Sequence, residues 1–122
     1  MHTISLLING EQQQAGNRAT FERLNPLDGS VATRAPAATP ADAVAAVEAA
    51  ARAFPAWAAT GPGERRALLT KAAHALEAKA QAFSAAMAAE TGASGLWAGF
   101  NVHLAAGILL EAAALTTQIN GE

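Results

Sequence analysis

Hydrophobic and polar positions along the chain follow two periods. Over the first 36 residues apolar side chains come in short runs and alternations, and from residue 39 onward they recur three and four apart, the spacing of helices. Ile4 to Ile8 is a short apolar run that meets Asn9-Gly10, the dipeptide best suited to the two positive φ angles of a tight hairpin turn, so Glu11 to Gln14 reads as the return strand. After Gly16-Asn17, Thr20 to Leu24 alternates polar and apolar residues and runs into Asn25-Pro26 and Asp28-Gly29, which are strong turn punctuation. Ser30 to Ala35 reads as a third strand ending near Pro36. The expected product is a small antiparallel β unit over residues 1–36, and strands so few and short need a face to pack on.

Thr39-Pro40-Ala41-Asp42 is a helix start, with a threonine N-cap, proline at the first helical position and a carboxylate near the positive end of the dipole. This helix is expected to run to about Phe54 and to bury Val44, Val47, Ala51 and Phe54. Pro55 should stop or kink it, and Trp57 should plug its end against a neighbour. Gly61-Pro62-Gly63-Glu64 opens a second helix with Leu68, Leu69, Ala72, Ala73 and Leu76 on its apolar side. A third, from Lys79 to Thr91, buries Phe83 and Met87 and ends at Gly92, a suitable left-handed cap.

The stretch Gly95 to Glu122 is the longest apolar helix candidate. Trp97, Phe100 and Leu104 fall at i, i+3 and i+7 and form one bulky stripe, while Val102, Leu109 and Leu110 make much of the remaining circumference apolar. A helix of this kind is expected to lie between other layers. Asn101, His103, Glu111, Thr116, Thr117 and Gln118 must each find water, a partner or a cavity, and Asn101 and His103 are read as pointing to other sides than the stripe. The stripe itself fits either a plain core or the wall of a pocket; on pattern alone core is the default, because large side chains at helical spacing are more often core. The fold class read from these elements is α+β: the β unit of residues 1–36 followed by four helices within residues 37–122, making one incomplete domain overall.

Composition thins the expected core. Alanine supplies much of the 52% hydrophobic content, aromatics are 5% and tyrosine is absent. A buried alanine contributes little more than a methyl group, against roughly 1.5 to 3 kcal/mol for a buried leucine or phenylalanine. The helices are therefore expected to lean on something outside the 122 residues. A net charge of −2 and a pI of 5.9 argue against a nucleic-acid partner, and Arg65-Arg66, the only adjacent basic pair, reads as a solvated helix face beside Glu64. The start of the chain does not resemble a secretory signal, and the apolar run from Val102 to Leu115, interrupted by His103 and Glu111, reads as too short to span a bilayer. A soluble cytoplasmic protein with no membrane partner is the expectation.

Candidate chemistry is sparse. Cysteine is absent, which removes disulfides, zinc-thiolate sites and thiol nucleophiles from these residues. His74 has no second histidine or carboxylate at a metal-ligand spacing, so no metal site is expected. Gly61 and Gly63 are followed by neither the third glycine nor the lysine of a phosphate-cradling turn. No serine has a histidine and an aspartate within one local motif, and nothing marks Glu90 or Glu111 as a general base.

Specific words in the chain carry a resemblance. INGE at 8–11, FERLNPLDGSVATRAPAAT at 21–39, AFPAWAATGPGERRALLTKAAHALE at 53–77 and AAETGAS at 88–94 resemble the amino-terminal region of the NAD(P)-dependent aldehyde dehydrogenase superfamily. WAGFNVHLAAGILLEAAALTTQINGE at 97–122 is similar to the branch that oxidises aromatic aldehydes, the salicylaldehyde, vanillin and benzaldehyde dehydrogenases. The resemblance implies part of an α/β enzyme lacking its main sheet. In that family a cysteine thiolate attacks the aldehyde, an asparagine amide and a backbone N–H hold the oxyanion, hydride passes to the nicotinamide, and a glutamate activates the hydrolytic water. In the family the cysteine, the glutamate, the oxyanion asparagine and the dinucleotide-binding turn all lie beyond the stretch that these residues resemble.

The resemblance thus implies an inactive fragment of an NAD- or NADP-dependent homo-oligomer acting on a small aromatic aldehyde, with no cofactor bound by the fragment itself. It also matches Trp97, Phe100 and Leu104 to the helix positions that line the substrate tunnel, and so favours pocket over core for Trp97 and Phe100. The competing expectation is a free-standing helical module acting through protein contacts alone.

Overall fold

The computed structural model describes residues 2–119, and the chain forms two compact units, Met1–Ala59 and Thr60–Glu122. The first holds strands β1 (His2–Thr3), β2 (Leu6–Ile8), β3 (Glu11–Gln13), β4 (Thr20–Leu24) and β5 (Val31–Pro36) and helix α1 (Pro40–Ala59). The second holds α2 (Pro62–Glu77), α3 (Ala80–Thr91) and α4 (Gly95–Leu115). The architecture is α+β, with four helices after a small β unit.

In the first unit β2 and β3 form the expected hairpin, with Asn9 and Gly10 at φ 55° and 78° in its turn. The alternating segment Thr20–Leu24 is a strand in its own right and pairs antiparallel with β5, Glu22 facing Arg34. The β unit is antiparallel only in part, however. β1 runs parallel to β5, with His2 beside Thr33, so the three-stranded sheet β1-β5-β4 is mixed and the β2-β3 ribbon is a separate sheet. No hairpin turn joins β1 to β5, which leaves the direction of β1 to be set by pairing alone; the Ile4 amide continues that pairing by donating to the Arg34 carbonyl at 3.1 Å.

Helix α1 groups with the strands in the first unit, which ends at Ala59. Its start explains why. Thr39 and Asp42 cap each other, the Asp42 amide donating to Thr39 Oγ1 at 3.3 Å and the Thr39 amide to Asp42 Oδ2 at 2.7 Å. The same carboxylate accepts from the Gly16 amide at 3.1 Å and 3.2 Å, which ties α1 to the loop after β3. Pro55 does not end the helix. The hydrogen bond it removes would have gone to the carbonyl of Ala51, which lies on an exposed stretch where water can replace it. Val44, Val47, Ala51 and Phe54 are exposed and Trp57 is not sealed, contrary to expectation; of α1 only Ala49 is buried.

In the second unit Gly92 takes the left-handed conformation at φ 70° and closes α3, its amide donating to the Ala88 carbonyl at 3.0 Å. Ser94 then caps α4. Helix α4 packs on α2 and α3 through small residues: Ala98, Val102, Ala106 and Ala113 are buried, with Ala73 of α2. Phe83 is 43% exposed and Met87 half-buried, so neither is sealed as expected. Arg66 is not simply a solvated charge. Its Nε donates to the Ala113 carbonyl at 3.3 Å and its Nη2 to Thr117 Oγ1 at 3.2 Å, fastening α2 to the end of α4.

At 21 residues and a mean hydropathy of 1.5 over its most apolar window, α4 as a whole, longer than the run from Val102 to Leu115, is by length and composition long and apolar enough to cross a membrane. Core helices of soluble proteins meet the same criterion. The last three positions of the Gly95–Glu122 stretch lie outside the described residues.

Candidate functional site

Successive helical residues turn by about 100°, so Trp97, Phe100, Leu104, Ile108 and Leu115 share one face of α4 while Ala98, Val102, Ala106 and Ala113 share another. The small face is the one that packs. The bulky one is open: Trp97 is 57% exposed, Phe100 50% and Leu104 46%. The aromatic stripe is therefore not the core of this unit.

Trp97 and Phe100 stack with ring centroids 5.5 Å apart and planes at 26°. With Ser94 and Leu96 they line an open concavity of ≈ 430 Å³. The helix start positions this group, because the Ser94 hydroxyl accepts the Trp97 amide at 3.3 Å and fixes the first turn. Leu104 stands one turn further along the same face and does not line this concavity. The structure thus brings two of the three sequence-selected residues together and leaves the third beside them.

Asn101 corrects another expectation. Four residues after Trp97 it lies within about 40° of it around the helix, and its Nδ2 donates to the Trp97 carbonyl at 2.8 Å. It belongs to the aromatic side of α4, whereas His103 does turn away. Ser94 and Leu96 were missed. Ser94 was open to detection as the N-cap of an apolar run, but nothing in the pattern distinguishes Leu96 from a packed leucine.

Other features offer less. A cavity of ≈ 360 Å³ beside the β2-β3 ribbon is lined by Leu7, Ile8, Asn9, Gly10 and alanines of α1, without an ionisable side chain. Among the described residues no group of three or more His, Cys, Asp or Glu is placed to hold a metal. Two carboxyls are held below the ordinary aspartate range. Hydrogen bonds from Thr39 and the Gly16 amide act on Asp42, and hydrogen bonds from Ser30 act on Asp28. Both serve a cap or a turn. Gly61 and Gly63 do not form a phosphate-cradling turn: they open α2, which follows helix α1 in the chain, whereas such a turn joins a strand to a helix.

Known proteins resemble the chain along its whole length. The model of the aldehyde dehydrogenase family matches residues 13–122. Vanillin dehydrogenase of Pseudomonas sp. strain HR199 is 56% identical over 122 residues, all of this chain and 25% of that protein. Salicylaldehyde dehydrogenase of Pseudomonas putida is 49% identical over 117 residues, 96% of this chain and 24% of that protein. The crystal structure of a salicylaldehyde dehydrogenase from Pseudomonas putida G7, complexed with salicylaldehyde, superposes with a TM-score of 0.95 at 48% identity, covering all of this chain and 25% of that one. The 122 residues span about a quarter of the length of these relatives.

Proposed function

The chain belongs to the aldehyde dehydrogenase family, and on that premise we propose that it is the amino-terminal part of an enzyme that oxidises an aromatic aldehyde to the carboxylic acid with NAD or NADP. The observation that carries the aromatic preference is the open, stacked Trp97–Phe100 pair, on a helix akin to that of proteins named for vanillin and salicylaldehyde. Aldehyde dehydrogenases are generally soluble, and the complete protein is expected to be a cytoplasmic homo-oligomer.

The cysteine nucleophile of the family is absent from these residues, as is the glycine pattern of a dinucleotide turn. These 122 residues are accordingly expected to show no activity alone, and no chemical step is assigned to them. When bound elsewhere in the complete polypeptide, the nicotinamide would accept the hydride. The part proposed for this chain is binding and orientation. Trp97 and Phe100 receive the substrate ring on their faces and shield it from water, and Leu104 extends the apolar wall one turn further.

Trp97→Ala in the complete polypeptide tests this. Aromatic stacking contributes about 0.5–1.5 kcal/mol beyond area burial, so KM for benzaldehyde should rise roughly 2- to 12-fold while KM for a short aliphatic aldehyde stays nearly constant. Equal effects on both substrates would remove Trp97 from the pocket. A second reading, a helical module acting by protein contacts alone, is favoured by the exposed Val44, Val47 and Phe54 of α1. It predicts no aldehyde-dependent formation of NADH or NADPH by the complete polypeptide.

A further inference from the structure

The concavity at the start of α4 has one polar side chain in its lining. Leu96, Trp97 and Phe100 are apolar; Ser94 is not. A serine hydroxyl has one proton to donate and two lone pairs. Capping takes one lone pair, which accepts the Trp97 amide at 3.3 Å. Ser94 is exposed, so its hydroxyl proton is open to solvent or to a bound molecule. The same side chain that starts the helix therefore keeps a donor beside the aromatic stack. From Ser94 to Phe100 the helix rises about 9 Å, room for one benzene ring and its substituents laid along the groove.

We propose that Ser94 is a specificity-determining residue, whose hydroxyl donates a hydrogen bond to an oxygen substituent, methoxy or hydroxyl, on the ring of an aromatic aldehyde seated against Trp97 and Phe100. This rests on the aromatic-aldehyde reading of the groove. Ser94 selects among ring substituents. The aromatic preference itself belongs to Trp97 and Phe100.

The test compares methoxybenzaldehydes with ethylbenzaldehydes of the same substitution pattern, which match in shape and differ in the oxygen. In the complete polypeptide, Ser94→Gly removes the hydroxyl but keeps a residue well tolerated as an N-cap, so α4 should still start in place. Across the ortho, meta and para isomers, the methoxy-over-ethyl ratio of kcat/KM should fall about 2- to 12-fold for the isomer that wild type favours most, the worth of one neutral hydrogen bond. Ser94→Thr should retain that ratio. An unchanged ratio in Ser94→Gly, or the same loss in Ser94→Thr, overturns the assignment. The two inferences fail separately: if Trp97→Ala treats aromatic and aliphatic aldehydes alike, the groove is wrong, whereas a Trp97 effect with an unmoved methoxy ratio refutes Ser94 alone.

Discussion

Ala106→Leu should damage this protein more than removing a leucine from the same helix. Ala106 is 0% exposed, in the row of small residues by which α4 packs in its unit. Leucine adds three carbons where no space is available, and overpacking of this kind costs about 1–3 kcal/mol. Leu96, ten residues earlier, is 87% exposed. Truncating it to alanine deletes three carbons worth about 0.8 kcal/mol each when buried; at that exposure the loss is only about 0.3 kcal/mol. The ordinary rule that large-to-small changes hurt apolar helices is thus inverted. Urea unfolding followed by far-UV circular dichroism separates the two, since a change in midpoint at constant slope reports stability alone. An Ala106→Leu variant as stable as wild type, or a Leu96→Ala variant less stable than Ala106→Leu, would refute the packing described for α4.

Asp42 should make stability depend on acid. Its folded pKa is depressed by the hydrogen bonds from Thr39 and Gly16, so its contribution is fully present above the unfolded aspartate pKa, near 4, and is lost as pH falls through the folded value. Asp42→Asn should lower stability at neutral pH and flatten that part of the acid limb below about pH 4, measured by urea midpoints across pH; an unchanged acid limb counts against the cap. Gly92→Ala forces a side chain into φ 70° and should cost about 1–2 kcal/mol, read from the same unfolding curves, whereas Gly63→Ala, in open space and without positive φ, should not incur that strain.

Local chemistry was legible in the chain. Asn9-Gly10, Thr39 to Asp42 and Gly92 each adopt the conformation their side chains or backbone freedom dictate within a few residues, and the structure places a hairpin turn, a cap and a helix end there. The direction in which each helix faces was not. Apolar residues occupy nearly the whole circumference of α4, so spacing identified a stripe of Trp97, Phe100 and Leu104 without saying whether the stripe or its small neighbours would be covered. Long-range partners were equally hidden. Gly16 meets Asp42 across 26 residues and Arg66 meets Thr117 across 51, distances over which neither propensity nor spacing carries information. The parallel pairing of β1 belongs to the same class. For the site, the tunnel role proposed for Trp97 and Phe100 came from family likeness, while the place of Leu96 beside them shows only in the fold.

On α4 the positions that hold the helix in place and the positions that meet whatever lies outside are disjoint sets: Ala98, Val102, Ala106 and Ala113 against Trp97, Phe100, Leu104 and Ile108. A change in one set need not disturb the other. Descendants of this sequence can therefore drift in the identity of their outward side chains, one substitution at a time, without renegotiating how the helix is seated. A family that handles many related molecules on a shared frame has a use for such independence.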